Sequence, residues 1–351
     1  AAVAGAASWS VIAAASPAAA HGGSSEDDAS NYRSRVRIVD PTVPDLSVEV
    51  IDNGSRLQLD YRGDGVVVVL GYRGEPYLRV GSSGVEQNLR SPATYLNETL
   101  DASAPVPEFA DPQAEPEWQQ ISTVPRARWH DHRAHWMSAE PPPAVQAEPG
   151  ATYVIFDPWV VSILVDGRRV EVRGDLVWVP PPRAARWWAV TFVSLAVALV
   201  VLIRSTQLWL RVLGLVAGVA ADLVGTTGRF IESSESAFRR FSLYLYAVLI
   251  VIGIGRGIAH TWRREPPPVL AIGLAGLVLA MQSGVARISS FSYSQLPSSL
   301  PTGVERAATV VCMVVGWALL VDFLWYLLMT ARPEPAEAAP VGAAHDEVED
   351  R

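Results

Sequence analysis

Lysine is absent from these 351 residues, cysteine occurs once and methionine four times. All 28 basic residues are therefore arginines, which with the Ala, Val and Gly bias marks a GC-rich coding sequence and says nothing of mechanism. The single cysteine, Cys312, excludes an intrachain disulfide, and its place in an apolar run excludes a thiolate metal site in the polar part of the chain. Acidic residues number 36, for a net charge of -8, so a nucleic-acid partner, which calls for a basic patch or stripe, is not expected. Catalytic triads, Walker-type loops and paired catalytic carboxylates are also missing as motifs. Gly253, Gly255 and Gly257 lie inside an apolar run with one spacing too short for a dinucleotide-binding loop.

What is present divides into two unlike halves. Residues up to about 182 are polar, Pro-rich and β-like, and from Trp187 to about Ala331 apolar runs dominate. Between Ser34 and Pro180 short β-prone segments alternate with turns, which predicts an all-β sandwich of Ig-like or cupredoxin-like type. Val36 to Val39 and Leu46 to Ile51 cluster β-branched residues, Asn53-Gly54 is a hairpin signal, and Val66 to Leu70 reads as a buried central strand. Tyr153 to Phe156, Val160 to Val165, Arg168 to Val172 and Leu176 to Val179 supply further strands, with Asp166-Gly167 as a tight turn. An irregular stretch from about Ser91 to Pro149 separates the two groups; it is too long for a filler loop, and Trp118, Trp129 and Trp136 argue that it packs.

Five apolar runs approach the roughly 20 residues needed to cross a bilayer: about 187–204, 207–224, 241–261, 267–285 and 307–330. They predict a helical bundle over 187–331 in the cytoplasmic (inner) membrane, with the β half over 34–182 on the extracytoplasmic side and an acidic cytoplasmic tail over 332–351. Asp222 and Asp322, with Arg256 and His260, are the ionisable groups expected at membrane depth, where charge by default suggests a conduction or proton role. Both aspartates also lie within a turn or two of helix ends, where pairing with Arg or reaching water accounts for them equally well.

Three of the six histidines fall in one run, Trp129-His130-Asp131-His132-Arg133-Ala134-His135-Trp136. Imidazole is the commonest metal ligand, and three with a carboxylate nearly fill a coordination sphere. A fourth enters through the small-residue pattern Ser16-Pro17-Ala18-Ala19-Ala20, of the kind signal peptidase cuts. Cleavage there removes 1–20, leaves 21–33 as a flexible mature N-terminus and makes His21 its first residue, whose α-amine, with a reference pKa of about 7.7–8.0, can be displaced of its proton by metal near neutrality. The expected metal set is therefore His21, His130, Asp131, His132 and His135, holding copper or, as the alternative, zinc. A structural loop is the competing reading, with the histidines hydrogen-bonded to backbone carbonyls, Asp131 paired to Arg128 or Arg133 and both tryptophans packed on the sandwich. Glu75, Tyr77 and Arg79 have a parallel choice between a recognition surface and a bulged strand marked by Gly74 and Pro76.

An N-terminal histidine with a His-x-His about a hundred residues on resembles two copper arrangements in exported β domains, those of CopC-type copper-binding proteins and of the particulate methane monooxygenase B subunit. The matching positions are His21, His130 and His132. The chain has no second cupredoxin domain after its spans and no Cys- or Met-rich copper motif, so monooxygenase chemistry is not part of what the resemblance implies. The histidine run, with Gly71 to Arg79 and Ser91 to Asn97, also resembles actinobacterial membrane proteins, a likeness that carries no activity with it. The reading is a membrane-anchored metal-binding protein for copper handling, delivery or sensing, binding rather than enzymatic. Its partners would be the lipid bilayer and another membrane complex or copper enzyme. The alternatives are a transporter or transporter subunit whose β domain captures substrate, and an assembly subunit docking through small-residue faces such as Gly253 and Gly257 or Gly273 and Gly276.

Overall fold

The computed structural model describes residues 29–205, 207–232, 255 and 269–330. The expected signal segment, His21, the apolar run 241–261 apart from Gly255, His260 and the acidic tail lie outside the described residues.

The polar half forms two antiparallel sheets facing one another in the manner of a sandwich. Ten strands build them: β1 (Tyr32–Asp40), β2 (Leu46–Ile51), β3 (Arg56–Tyr61), β4 (Val67–Leu70), β5 (Pro76–Gly81), β6 (Gly84–Asn88), β7 (Trp118–Ser122), β8 (Arg126–His130), β9 (Tyr153–Val165) and β10 (Arg168–Trp178). The larger sheet has the order β1-β10-β9-β4-β5-β6-β7, and the smaller has β2-β3-β8. The core between them is built by period-two alternation: Val67 and Val69 of β4 and Ile163 of β9 from one sheet meet Leu57 and Leu59 of β3 from the other. The Asp166-Gly167 hairpin forms as its residues require, both with positive φ, and joins β9 to β10.

Two departures from the sequence reading stand out. The four C-terminal β segments fuse into two long strands, because β9 runs on through Asp157-Pro158 and β10 through Gly174. The stretch from Ser91 to Pro149 is not irregular throughout: it holds β7, β8 and two short helices, α1 (Pro92–Leu96) and α2 (Pro143–Ala147).

Among the described residues the apolar half contributes four helices long and apolar enough to cross a membrane. They are α3 (Ala184–Arg204), α4 (Leu208–Glu232), α5 (Val269–Val278), which continues through a π-helical and a 3-10 stretch to Phe291, and α6 (Thr302–Thr330). Four of the five expected runs thus have a described helix; α4 runs on to Glu232 and the α5 segment to Phe291, and α3 and α6 begin earlier than expected, at Ala184 and Thr302. α6 is the central helix. Gly273 and Gly276 of α5 sit against Phe323 and Leu319 of α6, and Gly316 of α6 lies against Ala280, approaches too close for a Cβ. The Gly273/Gly276 face expected to dock a partner is therefore consumed inside the chain. α3 exposes Phe192, Val193, Val197 and Val200, an apolar surface that suits a lipid bilayer.

Both aspartates expected at membrane depth have arginine partners, while Arg256 and His260 lie outside the described residues. Asp322 accepts two hydrogen bonds from Arg211 at 2.7 and 2.8 Å, Asp222 accepts one from Arg287 at 2.8 Å, and Glu305 accepts one from Arg229 at 2.7 Å. The halves meet where the loop after Phe291 docks on the sandwich. Ser30 and Gln295 exchange backbone hydrogen bonds of 3.0 and 2.8 Å, Ser294 Oγ donates to the Val179 carbonyl at 2.8 Å, and Asn53 Nδ2 donates to the Gln295 carbonyl at 3.4 Å.

Candidate metal centre

β8 delivers the histidine run to the end of the sandwich nearest the helices. His130 is its last residue, paired across the ladder with Arg56 of β3. The chain then turns, with the Ala134 amide donating to the Asp131 carbonyl at 3.0 Å. His132 therefore reaches His130 through a turn and not through the strand alternation that His-x-His suggests. The rings still meet: centroids are 4.1 Å apart for His130 and His135, 4.9 Å for His130 and His132, and 5.4 Å for His132 and His135.

Asp131 forms the turn. It is 1% exposed, and its carboxylate accepts from Trp129 Nε1 at 2.9 Å and from Arg133 Nε and Nη2 at 2.8 and 2.7 Å. Burial pushes its carboxyl up, and the bonds from Arg133 outweigh that, so it is held below the ordinary range. With both oxygens engaged, Asp131 shapes the loop and presents no free lone pair toward the imidazoles. Arg128, the other candidate partner, bonds Gln58 at 2.7 Å instead.

The other two motifs singled out in the sequence converge on the same loop. Tyr72 stacks on His132 with centroids 5.8 Å apart, accepts from the His132 amide at 3.1 Å and donates to Asn97 Oδ1. Arg133 lies 5.0 Å over the Tyr72 ring and donates to the Leu70 carbonyl at 3.1 Å. Glu75 is buried inside the β4–β5 turn, accepting from Ser91 Oγ at 2.8 Å and from the Arg73 amide at 2.9 Å. Arg79 points elsewhere, bonding Glu86 at 2.6 Å and lying over Trp118. Sequence reasoning missed Tyr72 as the ring under the cluster. The structural-loop reading expected backbone carbonyls at the imidazoles, and they are those of Ser55, Thr99 and Leu100, which the sequence did not identify.

Those carbonyls expose a shortage of hydrogens. His130 Nδ1 lies 2.5 Å from the Ser55 carbonyl, so it carries the proton and leaves Nε2 as an acceptor. His130 Nε2 faces His135 Nε2 at 3.1 Å, and His135 in turn lies 2.9 Å from the Leu100 carbonyl through Nε2 and 3.2 Å from the Asp131 carbonyl through Nδ1. A neutral His135 has one N–H for those three acceptors on its two nitrogens. Whichever nitrogen holds it, an imidazole lone pair is left facing an oxygen lone pair, and a cation relieves the mismatch. Burial, followed by the neighbouring His135, holds His130 down to about 3, so its Nε2 stays unprotonated in ordinary solution. His132 is also lowered, chiefly by burial, and its Nε2 donates to the Thr99 carbonyl at 3.0 Å.

Among the described residues no group of three or more His, Cys, Asp and Glu is arranged to hold a metal ion as it stands. His130 and His135 converge, His132 is engaged by Thr99, Asp131 is committed to Arg133, and His21 is not among the described residues. No family model matches the chain, and neither a curated protein nor a solved structure matches it.

Proposed function

We propose that this is a membrane-anchored metal-binding protein whose β half takes up copper, or alternatively zinc, for handling, delivery or sensing, without enzymatic turnover. The observation that carries the reading is the hydrogen-deficient pair His130 and His135. Two imidazole nitrogens bound to one ion at about 2.0–2.1 Å lie about 2.9–3.4 Å apart, between right-angled and tetrahedral geometry. The 3.1 Å between the two Nε2 atoms falls in that interval. In this reading the ion replaces the missing hydrogen, with the Leu100 carbonyl beside it. The Ser55 carbonyl orients His130 through Nδ1, a common outer contact of metal-bound histidine.

His132 joins the ion by releasing Thr99. His21 completes the set: Ser30 is held at Gln295, beside the turn that carries Ser55, and the nine residues back to His21 span up to about 30 Å when extended, ample to reach the cluster. An Ig-like or cupredoxin-like assignment of the sandwich, and the likeness to CopC-type and methane monooxygenase B copper sites, belong to this reading.

The bundle is read as five spans with the β half outside the cytoplasmic membrane. α4 and the α5 segment both run antiparallel to α6: Arg211 meets Asp322 at one end and Arg229 meets Glu305 at the other, while Gly273 faces Phe323 and Ser290 faces Thr309. Two successive parallel spans need a return crossing between them, and the apolar run 241–261 has the length for it.

The test is a copper(II) titration of the full chain in lipid nanodiscs, followed by zinc. Loss of a metal-binding imidazole in His130→Ala or His135→Ala should weaken binding by more than the roughly 10–100-fold that outer contacts contribute. Absence of stoichiometric copper and zinc in the unsubstituted protein, or binding unchanged in both variants, would make the run a structural loop.

A further inference from the structure

Strand register fixes which end of the larger sheet lies toward the bundle. Tyr32 of β1, Trp178 of β10 and Tyr153 of β9 stand level with one another, and Val179, the residue after β10, accepts from Ser294 of the loop that follows Phe291. At the opposite end Val165 of β9 is level with Val67, Val80, Val85 and Ser122 across β4, β5, β6 and β7. β9 has 13 residues, so the two ends are roughly 40 Å apart.

The bundle end carries an aromatic and apolar patch. Tyr32 stacks on Trp136 with centroids 6.4 Å apart and meets Trp178 edge-on at 5.1 Å, and Trp136 lies 6.2 Å from Phe156. Phe156 shares a strand face with Val154 by the period of two, Val154 is 62% exposed, and Met137 beside Trp136 is exposed as well. The half-buried Trp136 ring donates through Nε1 to the Glu140 carbonyl at 2.8 Å, so it brings no unmet donor to an apolar surrounding. Exposed apolar side chains gathered in this way mark a contact surface.

What the patch meets follows from its height. Trp187 and Trp188, near the start of α3, make ring contact with Phe291 and mark the headgroup level. Ser294, which holds Val179, is three residues beyond Phe291 and so at most roughly 11 Å from it. Exposed charges of both signs border the patch, Glu140, Glu148 and Asp157 on the sandwich and Arg183 and Arg186 at the start of α3, which suits neutral headgroups. We infer that Trp136, Met137, Val154 and Phe156 rest in the headgroup layer of the bilayer that the chain's own helices enter, so that the sandwich lies with this end against the membrane. The histidine run, which ends beside Trp136, is thereby held next to the lipid surface. The inference rests on α3 to α6 lying in a bilayer and is independent of metal binding.

The experiment places a nitroxide at Val154→Cys in the full chain, held in dioleoyl phosphatidylcholine nanodiscs. Labels at Val193→Cys on the exposed face of α3 and at Val124→Cys, 56% exposed just past β7 at the far end of the sheet, serve for comparison. Cys312 is buried, and the unsubstituted chain gives the labelling blank. Power saturation compares collision with oxygen, which concentrates in lipid, and with chromium oxalate, which stays in water. Val193 should favour oxygen, and chromium oxalate should reach Val154 several-fold less than Val124. Adding Met137→Gln and Phe156→Gln, both at exposed positions, should move Val154 toward the Val124 value. A Val154 label as open to chromium oxalate as the Val124 label, or one that ignores the added glutamines, would overturn the proposal while Val193 still reports lipid. Protection of Val154 from both reagents would overturn it in favour of a protein cover such as a second copy of the chain. A Val193 label open to chromium oxalate would remove the membrane reading and this contact with it.

Discussion

Replacing Asp131 by alanine should unfold the histidine loop's support before it affects anything else. The substitution removes the acceptor for Trp129 Nε1 and for two nitrogens of Arg133, and leaves a guanidinium whose side chain is 23% exposed without its counter-charge. Breaking one side of an enclosed ion pair costs about 3–5 kcal/mol, because the partner stays desolvated and unpaired. For a domain of this size each kcal/mol lowers the midpoint by roughly 2–4 °C, so a fall of roughly 6–20 °C is expected. Asp131→Asn should fall between, since the amide oxygen can still accept from Trp129. Adding Arg133→Met to Asp131→Ala should recover part of the loss, as the stranded charge is then gone. Thermal unfolding followed by near-ultraviolet circular dichroism reads the effect at Trp129, which is part of the core. A change below about 1 kcal/mol for Asp131→Ala, or no recovery in the double variant, would refute the argument that this buried pair holds the loop.

Other outcomes follow from the same contacts. His130, held to about 3 by burial and by His135, is neutral in the fold while the unfolded imidazole titrates near 6.5. Its contribution to stability is therefore complete above about pH 6.5 and is lost at up to about 1.4 kcal/mol per pH unit as pH falls toward 3. Urea unfolding between pH 7 and 4 should show that slope, reduced in His130→Gln. Gly174→Ala places a Cβ 2.1 Å from both the Arg35 carbonyl and the Trp159 ring, and overpacking of about 1–3 kcal/mol or more should appear as a lowered denaturant midpoint. In the bundle, Arg211→Met alone should destabilise by about 3–5 kcal/mol, and Asp322→Leu added to it should restore much of that in nanodisc thermal scans.

The β2 segment, the central β4 strand and the Asp166-Gly167 hairpin were legible because each has a local cause: β-branched clustering, a continuous apolar run, or a residue pair suited to positive φ. β7 and β8 were not legible. Trp118–Ser122 and Arg126–His130 are short and mostly polar on the exposed side, and their ladder partners, β6 and β3, are distant in sequence. The histidine density pointed to a cluster, and the rings do cluster. The Asp131–Arg133 pair and carbonyl partners for the imidazoles were among the expectations, but the turn after His130 and the identity of the carbonyls of Ser55, Thr99 and Leu100 were not, because backbone acceptors leave no trace in side-chain identity. The convergence of Tyr72, Asn97 and His132 likewise depends on strand pairing that brings residues 25 and 60 positions apart together.

X-ray absorption on the copper-loaded full chain counts the imidazole ligands around the ion. At least two histidine nitrogens at about 2.0 Å are expected, with the histidine multiple-scattering signal reduced in the His130→Ala/His135→Ala pair. A spectrum without histidine scattering, or one left unchanged by that pair of substitutions, would contradict it.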